Sequence, residues 1–395
     1  MEEWKEYKLG EVVIPVKDRI ETSCLDSASY ISTENMLPDK AGVTLSSGVP
    51  SGNAVMFKND DILISNIRPY FKKIWRANRD GGCSADVICL RASNVVDSLF
   101  LYYLLSQDLF FDYVMQGAKG TKMPRGDRNQ IMQWPVLIPS KNEQHIIASI
   151  LSALDEKIEV NRRINDNLEQ QAQTLFKSWF VDFEPFKDGG FEETEQGMIP
   201  KGWKAGSLED ITTQKAERVG EREDVKVLSP VTTGQLMLSE EYFTKQVFSE
   251  SIAKYKVVEK GDFAYNPARV NIGSLGRNNY DFDGCVSPVY VVFSCKDGYA
   301  HLFDLYRKTE KFKTEVNLRA IGGVRQSLNY KDFAFIQCII PPLYVVEEFN
   351  AIYDHLLVMQ RHTGEECDRL AQLRDTLLPR LMSGELKVNE IENAI

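Results

Sequence analysis

Motifs that could carry catalysis are incomplete in this 395-residue chain. The glycines and lysines of Gly117–Lys122 resemble a phosphate-binding loop, but no Lys-Ser or Lys-Thr follows the second glycine. The tetrapeptide Asn266–Arg269 resembles the Asn-Pro-Pro-aromatic loop of enzymes that methylate amino groups, yet it lacks the second proline and the aromatic residue. The acidic pair Asp60-Asp61 is not followed at suitable spacing by the acidic-x-Lys set of nucleases. We therefore predict no catalytic residue, no metal site and no cofactor.

Loops in which basic residues alternate with apolar ones indicate a different chemistry. Residues 58–79 hold six basic and two acidic side chains, and residues 119–128 hold four basic and one acidic, although the chain has a formal net charge of −10. Concentrated positive charge on an acidic chain favours contact with double-stranded DNA on one face and with proteins elsewhere. For any single loop, a solvated charged face is the alternative. The candidate DNA-binding residues are Arg68, Lys72, Lys73, Arg76, Lys119, Lys122, Arg125, Arg128, Arg269, Asn271, Arg277, Arg319, Arg325 and Gln326.

A long stretch without glycine or proline must position these loops. Residues 142–180 are rich in strong helix formers, and some 35 helical residues would make a rod on the order of 50 Å. Within this stretch an apolar residue recurs at every seventh position, which places these residues in one line, or lane, along a helix, and only Asn161 interrupts this lane. A second lane of this kind lies near the end of the chain, and there Thr363 stands at the position equivalent to Asn161. Such lanes pair in coiled coils. The predicted helix-packing residues are Ile147, Leu154, Leu168, Leu175, Phe349, Leu356, Leu370 and Leu377.

The two lanes belong to an internal repeat of the whole chain. One constant offset aligns the segments that begin at Ala118 and Ala320 without a gap, and a slightly smaller offset pairs Trp4 with Trp203. Identity is low inside the globular parts and higher at their edges. The chain is therefore predicted to run as globular domain, long helix, globular domain, long helix.

Each globular part is predicted to mix α and β structure. Residues 20–52 are punctuated by Ser, Gly and Pro and predict a loop, and residues 182–199 predict an acidic surface connection. The first half should contain strands at 62–65, 87–90 and 136–138 and a helix at 99–115. The second half should contain strands at 263–265, 289–293 and 336–340 and a helix at 302–315.

Composition is typical of a globular cytoplasmic protein with two domains. Apolar residues make up 43% of the chain, which is enough for two cores, and no apolar run is long enough to span a membrane. The first residues are charged and lack the hydrophobic segment of a secretory signal. Seven cysteines without a CxxC pair indicate reduced thiols rather than a disulfide or metal framework.

Several segments together resemble the specificity (S) subunit of type I restriction-modification systems. They are SNIRPYFKK at 65–73, the helical run that ends in WFVDFEP at 179–185, GMIPKGW at 197–203 and LRDTLLPRLMSGEL at 373–386. The likeness covers nearly the whole chain, and the central run is its most specific part. It implies that Trp4–Pro139 and Pro200–Pro341 are target recognition domains and that the long helices are conserved spacers. Methylation and cleavage would then belong to separate subunits, two modification (methyltransferase) subunits and the restriction (helicase-nuclease) subunits.

These observations predict an α+β protein in which two mixed α/β recognition domains are separated by two antiparallel helices with pseudo-twofold symmetry. Each half-site of a bipartite, asymmetric DNA target would be read by one domain. The alternative is a helical adaptor that binds no DNA, while a free-standing enzyme is disfavoured by the incomplete motifs. The expected segments are domain one at 1–141, helix one at 142–181, a connection at 182–199, domain two at 200–342, helix two at 343–383 and a tail at 384–395.

Overall fold

The computed structural model describes residues 4–243, 251–296, 298–320 and 327–387. These residues form two compact units. The first combines Met1–Arg163 with Thr363–Ile395, and the second is Ile164–His362. Each unit therefore contains one globular domain and one half of each long helix.

The two long helices are continuous, as the absence of proline and glycine from most of their length predicts. They comprise Lys141–Phe180 and Leu343–Met382, with 40 residues each. In the first unit the helices run antiparallel, because Asp155 contacts Arg374 (2.7 Å) while Asn161, further along, contacts Glu366 (2.7 Å). In the second unit, the Gln360 side chain donates to the carbonyl of Asn165 (3.4 Å). The predicted antiparallel pairing is confirmed.

Two four-stranded sheets and a two-stranded pair form the first domain. The pair joins Lys5–Lys8 to Pro135–Ile138, directly before the first long helix. One sheet is antiparallel and has the order Val13–Pro15, Val87–Ala92, Ile62–Ser65, Ile74–Arg76. The other has the order Arg19–Glu21, Asn53–Phe57, Gly81–Cys83, Tyr30–Ile31, and its last two strands are parallel.

Short helices cover the antiparallel sheet and join its core to the long helices. Buried side chains of the helices pack with Ile62 and Leu90 of the sheet, with Ile147 of the first long helix and with Leu381 of the second. This single core anchors the first domain to the helix pair within its unit. The helices are Leu9–Val12, Ser98–Leu105, Asp108–Gln116 and Arg128–Ile131, and the 3-10 turns are Thr22–Cys24 and Pro69–Phe71.

The second domain repeats the strand pair and the antiparallel sheet, and its mixed sheet differs in the position of one edge strand. Lys204–Ser207 pairs with Gln337–Ile340 before the second long helix. One sheet has the order Thr212–Lys215, Val291–Cys295, Phe263–Tyr265, Leu275–Arg277, and the other has the order Leu236–Leu238, Lys226–Pro230, Gly284–Val286, Lys256–Val258. Its helices are Leu208–Ile211, Ser239–Tyr242, Ala300–Tyr306, Glu310–Arg319 and Tyr330–Ala334, with a 3-10 turn at Val270–Ile272. The predicted internal repeat is thus confirmed in the topology.

The connection between the halves is more ordered than its acidic sequence predicts. A 3-10 segment, Glu184–Gly189, is followed by a hairpin of Phe191–Thr194 with Gly197–Pro200. In the second unit, the Trp203 ring lies 5.4 Å from Phe183 and 5.0 Å from Phe186, measured between centroids. An aromatic cluster therefore fastens this connection to the end of the first long helix.

Two predicted helices are each split in the structure. The helix expected at 99–115 is interrupted at Ser106 and Gln107, and the one expected at 302–315 is interrupted between Tyr306 and Glu310. The region expected as loop at 20–52 contains the short strand Tyr30–Ile31. Apolar spacing continues through these breaks, so sequence periodicity did not reveal them.

Candidate nucleic-acid interface

Two basic loops of the first domain, 66–73 and 117–128, lie side by side. The backbone amide of Arg68 donates to the carbonyl of Pro124 (2.8 Å), and the amide of Gly126 donates to the carbonyl of Asn66 (3.2 Å). Backbone hydrogen bonds hold positions more firmly than long side chains do. The two loops that sequence analysis selected separately therefore form one surface.

The cations of the 117–128 loop are largely exposed. Lys119 lies 3.0 Å from the Asp127 carboxylate, and this hydrogen bond lowers the pKa of Asp127. Arg125 pairs with a carboxylate of a neighbouring loop (3.1 Å), and Arg128 donates to a backbone carbonyl (2.6 Å). Lys122 is exposed at the loop's centre. Ion pairs of exposed side chains are weak, so these cations can give up their contacts on the protein surface and bind DNA phosphates instead.

The 66–73 loop contains one exposed cation and one cation that is held by an ion pair. Arg68 is exposed, whereas Lys72 and Lys40 both pair with Asp108 (2.9 and 3.1 Å). Burial would raise the pKa of Asp108, but the hydrogen bonds from these two ammonium groups outweigh burial and lower it. Lys72 therefore has a structural partner that a phosphate would have to share.

Two predicted DNA-binding cations support the fold. Lys73 donates to the carbonyl of Thr33 (2.7 Å), and burial together with nearby Arg68 lowers its pKa. Arg76 lies 2.6 Å from the Asp60 carboxylate and also donates to a serine hydroxyl. We expect these two side chains to contribute to stability more than to DNA contact.

In the second domain, too, some candidate residues are exposed and others have partners within the fold. Arg269 is exposed directly before the 3-10 turn, and Asn271 is half-buried within that turn. Arg277 is turned inward and donates to the carbonyl of Gly261 (3.3 Å) and to His301 Nδ1 (3.0 Å). Burial, with the nearby Arg277 charge, lowers the pKa of His301.

Arg319 is half-buried and pairs with Glu315 (3.0 Å) on its own helix. The remaining candidates, Arg325 and Gln326, lie outside the described residues. Among the candidates of this domain that the structure describes, Arg269 is thus the exposed arginine, while Arg277 and Arg319 have partners within the fold.

A cleft of about 1080 Å³ opens in the second unit. One side carries residues 232–237 and 270–273, and the other carries Glu169 and Tyr353 of the long helices. Lys308 pairs with Glu169 across it (2.8 Å) and so joins the domain to the first long helix. Amides, hydroxyls and cations line the cleft beside apolar groups, a mixture that suits contact with nucleotides.

In the first domain, hydrogen bonds join the loop at Asp39 and Lys40 to the 3-10 turn Pro69–Phe71. There the amides of Asp39 and Lys40 donate to the carbonyls of Phe71 and Lys72 (2.9 and 3.1 Å). The ion pairs of Asp108 add side-chain contacts across the same junction. The two domains thus share a frame but present different surfaces at equivalent positions.

The predicted helix-packing residues are buried or half-buried within their units. In the first unit Ile147 is buried, whereas Leu154, Leu370 and Leu377 are half-buried. In the second unit Leu168 and Phe349 are buried, and Leu175 and Leu356 are half-buried. Buried residues of the neighbouring lane, among them Leu151, Ile158 and Ala172, complete the contact surface.

Sequence reasoning did not single out three exposed apolar side chains at the candidate interface. Tyr70 and Phe71 lie in the 3-10 turn of the first domain, and Ile272 lies in that of the second. The alternation of basic and aromatic residues was the available signal. The charge pattern selected the neighbouring basic residues as candidates and not these apolar ones.

No group of three or more His, Cys, Asp and Glu side chains among the described residues could hold a metal ion. None of the described helices is both long and apolar enough to cross a membrane.

Comparison with known proteins adds family information. Residues 1–170 match the family described as Type I restriction modification DNA specificity domain. The chain is 23% identical to the HindI type I restriction enzyme specificity subunit of Haemophilus influenzae, with 98% of this chain and 100% of that protein covered. It is 27% identical to the MjaIX specificity subunit of Methanocaldococcus jannaschii, with 75% and 71% covered.

A solved structure shows the same fold. The S subunit of a type I restriction-modification system from M. genitalium superposes with a TM-score of 0.57 at 16% identity, and 96% of each chain is covered.

Proposed function

We propose that this chain is a specificity subunit of a type I restriction-modification system and reads the DNA target of that system. It resembles such subunits in its family-model match over residues 1–170, in sequence and in fold. The observation that carries the proposal is the duplicated domain. Equivalent basic turns recur at Arg68 and Arg269 on a shared frame, while the surrounding loops differ. Each domain would read one half-site, and the two half-sites would differ in sequence.

Cations and base-reading groups have separate roles in this proposal. Exposed Lys119, Lys122, Arg125 and Arg128 of the first domain contact phosphates, which positions the protein on the duplex without regard to sequence. Arg68 and Arg269 face base edges, where a bidentate arginine discriminates guanine. The cleft of the second unit, which is lined by residues 270–273 of the second turn, gives that half-site further contacts.

The chain itself would catalyse nothing. Two modification subunits would methylate the DNA, restriction subunits would cleave it, and this chain would direct both to the target in the cytoplasm. In support, the motifs that resemble catalytic loops are incomplete, and the relatives are named as specificity subunits.

Co-expression with a modification subunit tests the proposal. The purified complex should bind duplex DNA and transfer methyl groups to a defined motif, and the modification subunit alone should not select that motif. A chain that binds the modification subunit but leaves its choice of DNA unchanged would instead support the adaptor function.

A further inference from the structure

The 3-10 turn of the first domain has an unusual backbone. Pro69–Phe71 is flanked by Arg68 and Lys72, whose φ angles are 49° and 51°. Residues other than glycine rarely adopt this left-handed conformation, and where they do, the surrounding structure must hold them there. The turn is therefore a maintained feature of the fold.

Contacts from three directions hold this turn. The carbonyls of Phe71 and Lys72 accept from the 39–40 amides, the Arg68 amide donates to Pro124, and Lys72 pairs with Asp108. None of these contacts uses the aromatic rings. The backbone is fixed while the side chains at its tip stay available.

The tip presents aromatic surface to solvent. Tyr70 is 47% exposed and Phe71 is 37% exposed, and their ring centroids lie 4.6 Å apart. Pro69 beneath them is buried. A paired aromatic surface next to exposed Arg68, and bonded to the loop that carries Lys122, combines apolar and positive character at one place.

The second domain repeats the design with other residues. Val270–Ile272 follows the strand Phe263–Tyr265 as Pro69–Phe71 follows Ile62–Ser65. Val270 is buried, Ile272 is 55% exposed, and the next residue, Gly273, has a φ of 96°. In both turns the first residue is buried and the last residue is apolar and exposed. The residue that follows each turn has a left-handed backbone conformation.

We propose that these two turns are wedges that insert apolar side chains at a base step of each half-site. The proposal rests on the DNA-reading function above and adds that the target is unstacked and bent. Wedges of aromatic or aliphatic residues separate base steps and bend duplexes by roughly 20–90°. Aromatic rings stack on any base, and in the first domain the exposed Lys119 and Lys122 of the adjoining loop meet the phosphates beside the step. Specificity would then include the ease with which a step deforms.

Fluorescence of 2-aminopurine tests the wedges. The complex with its modification subunits is mixed with duplexes that carry the motif methylated in the host, with the probe at successive positions. Fluorescence should rise at one step of each half-site. Replacing Tyr70 and Phe71 by alanine should abolish the rise in one half-site only, and Ile272→Ala should abolish it in the other only.

Matched controls and a milder variant separate wedge loss from general damage. Ile14 (55% exposed) and Met198 (56% exposed) are apolar residues of the two units outside the turns, and their alanine variants should keep both rises. Phe71→Leu should retain a reduced rise. Thermal unfolding of the alanine variants should change little, because the turn is held mainly by backbone hydrogen bonds and by the ion pair of Lys72.

The outcomes distinguish this inference from the proposed function. Sequence-specific binding without any rise, or a rise that survives both wedge variants, would overturn the wedges and leave DNA reading intact. Loss of modification-subunit binding by the variants, with the rise retained, would also overturn them by assigning the turns to a protein partner. Failure of the wild-type complex to select any sequence would contradict the proposed function itself.

Discussion

Individual cations differ in whether the fold already uses them. Lys119 and Lys122 are exposed, whereas Lys73 donates to the carbonyl of half-buried Thr33. We predict that Lys119→Ala and Lys122→Ala each weaken binding to all sequences alike and lower the salt slope by about 0.9. Titration of DNA affinity against salt concentration measures this. Lys73→Met is the comparison, because it should lower thermal stability and leave the salt slope unchanged. An equal change of the salt slope for all three variants would show that Lys73 contacts DNA as the two exposed lysines do.

Arg68 and Arg269 are predicted to affect sequence preference rather than overall affinity. Each is exposed beside the wedge of its own domain. Replacement by alanine should relax discrimination at one position of one half-site by about 1–3 kcal/mol. Binding to a library of single-base variants of the motif measures it. Uniform loss across all variants would show that both arginines contact phosphate only.

The ion pair of Glu169 with Lys308 predicts a pH-dependent contribution to stability. Burial would raise the pKa of Glu169, but hydrogen bonds from Lys308 and Gln173 outweigh burial and lower it. A lowered folded pKa stabilises the folded state above the ordinary value of 4.5, and this stabilisation is lost as pH falls through the folded value. Glu169→Gln should cost up to about 1 kcal/mol near pH 7, because the pair is partly exposed.

Unfolding by urea between pH 7 and pH 3 checks this contribution. The difference between wild type and variant should be constant near neutrality and vanish in acid. A difference that persists at the lowest pH would assign the effect to packing.

Side-chain roles could be predicted from sequence only in part. Charge and spacing identified the two loops that the structure brings together. They could not show that Arg76 and Arg277 turn inward, because the carbonyl and carboxylate partners lie far away in sequence. Long cationic side chains can bury their apolar stems while the charged head reaches either solvent or an acceptor of the protein.

At the scale of elements, periodicity was informative where it was long. The two 40-residue helices were predicted to within two residues of their ends, since a lane of apolar residues extends over many turns. The sequence pattern did not predict the break at Ser106 and Gln107, where side chains hydrogen-bond to the last carbonyls of the preceding helix. Ser106 Oγ donates to the Tyr102 carbonyl (2.7 Å), and Gln107 donates to the Leu104 carbonyl (3.0 Å).

The polar residue in the helix lane also yields a prediction. Asn161 is buried, its amide nitrogen donates to Glu366 (2.7 Å), and its carbonyl oxygen has no hydrogen-bond partner among the described residues. An unsatisfied buried acceptor costs free energy, so Asn161→Leu should raise the free energy of unfolding by about 1 kcal/mol. A polar residue at such a position fixes helix register.

Chemical denaturation of Asn161→Leu beside Leu168→Ala gives the measurement. The second variant deletes apolar packing in the same lane and should lower the free energy of unfolding by about 2–5 kcal/mol. Destabilisation by both variants would mean that Asn161 contributes favourable interactions beyond its bond to Glu366.

For the whole molecule, a duplicated frame carries two different recognition surfaces. The strand order of the antiparallel sheet, the strand pair before each long helix and the 3-10 turn recur in both units. In the first domain Asp108 pairs with Lys40 and Lys72, while the second unit has a cleft of about 1080 Å³. The sequence repeat predicted the common frame. The difference arises from loop contacts between distant segments, which no local pattern encodes.

The central claim is that each domain reads one half-site and that the helix pair sets their spacing. Inserting one heptad into both long helices, after Arg163 and after His362, would lengthen the pair by about 10 Å. At roughly 3.4 Å per base pair, the unread gap should grow by about three base pairs.

Sequencing of methylated bases in cells that carry the chain with its modification subunit tests this claim most directly. The wild-type motif should be bipartite and asymmetric, with a gap of about six to eight base pairs, and the insertion should keep both half-sites while the gap lengthens. A continuous or palindromic motif, or a gap unchanged by the insertion, would contradict it.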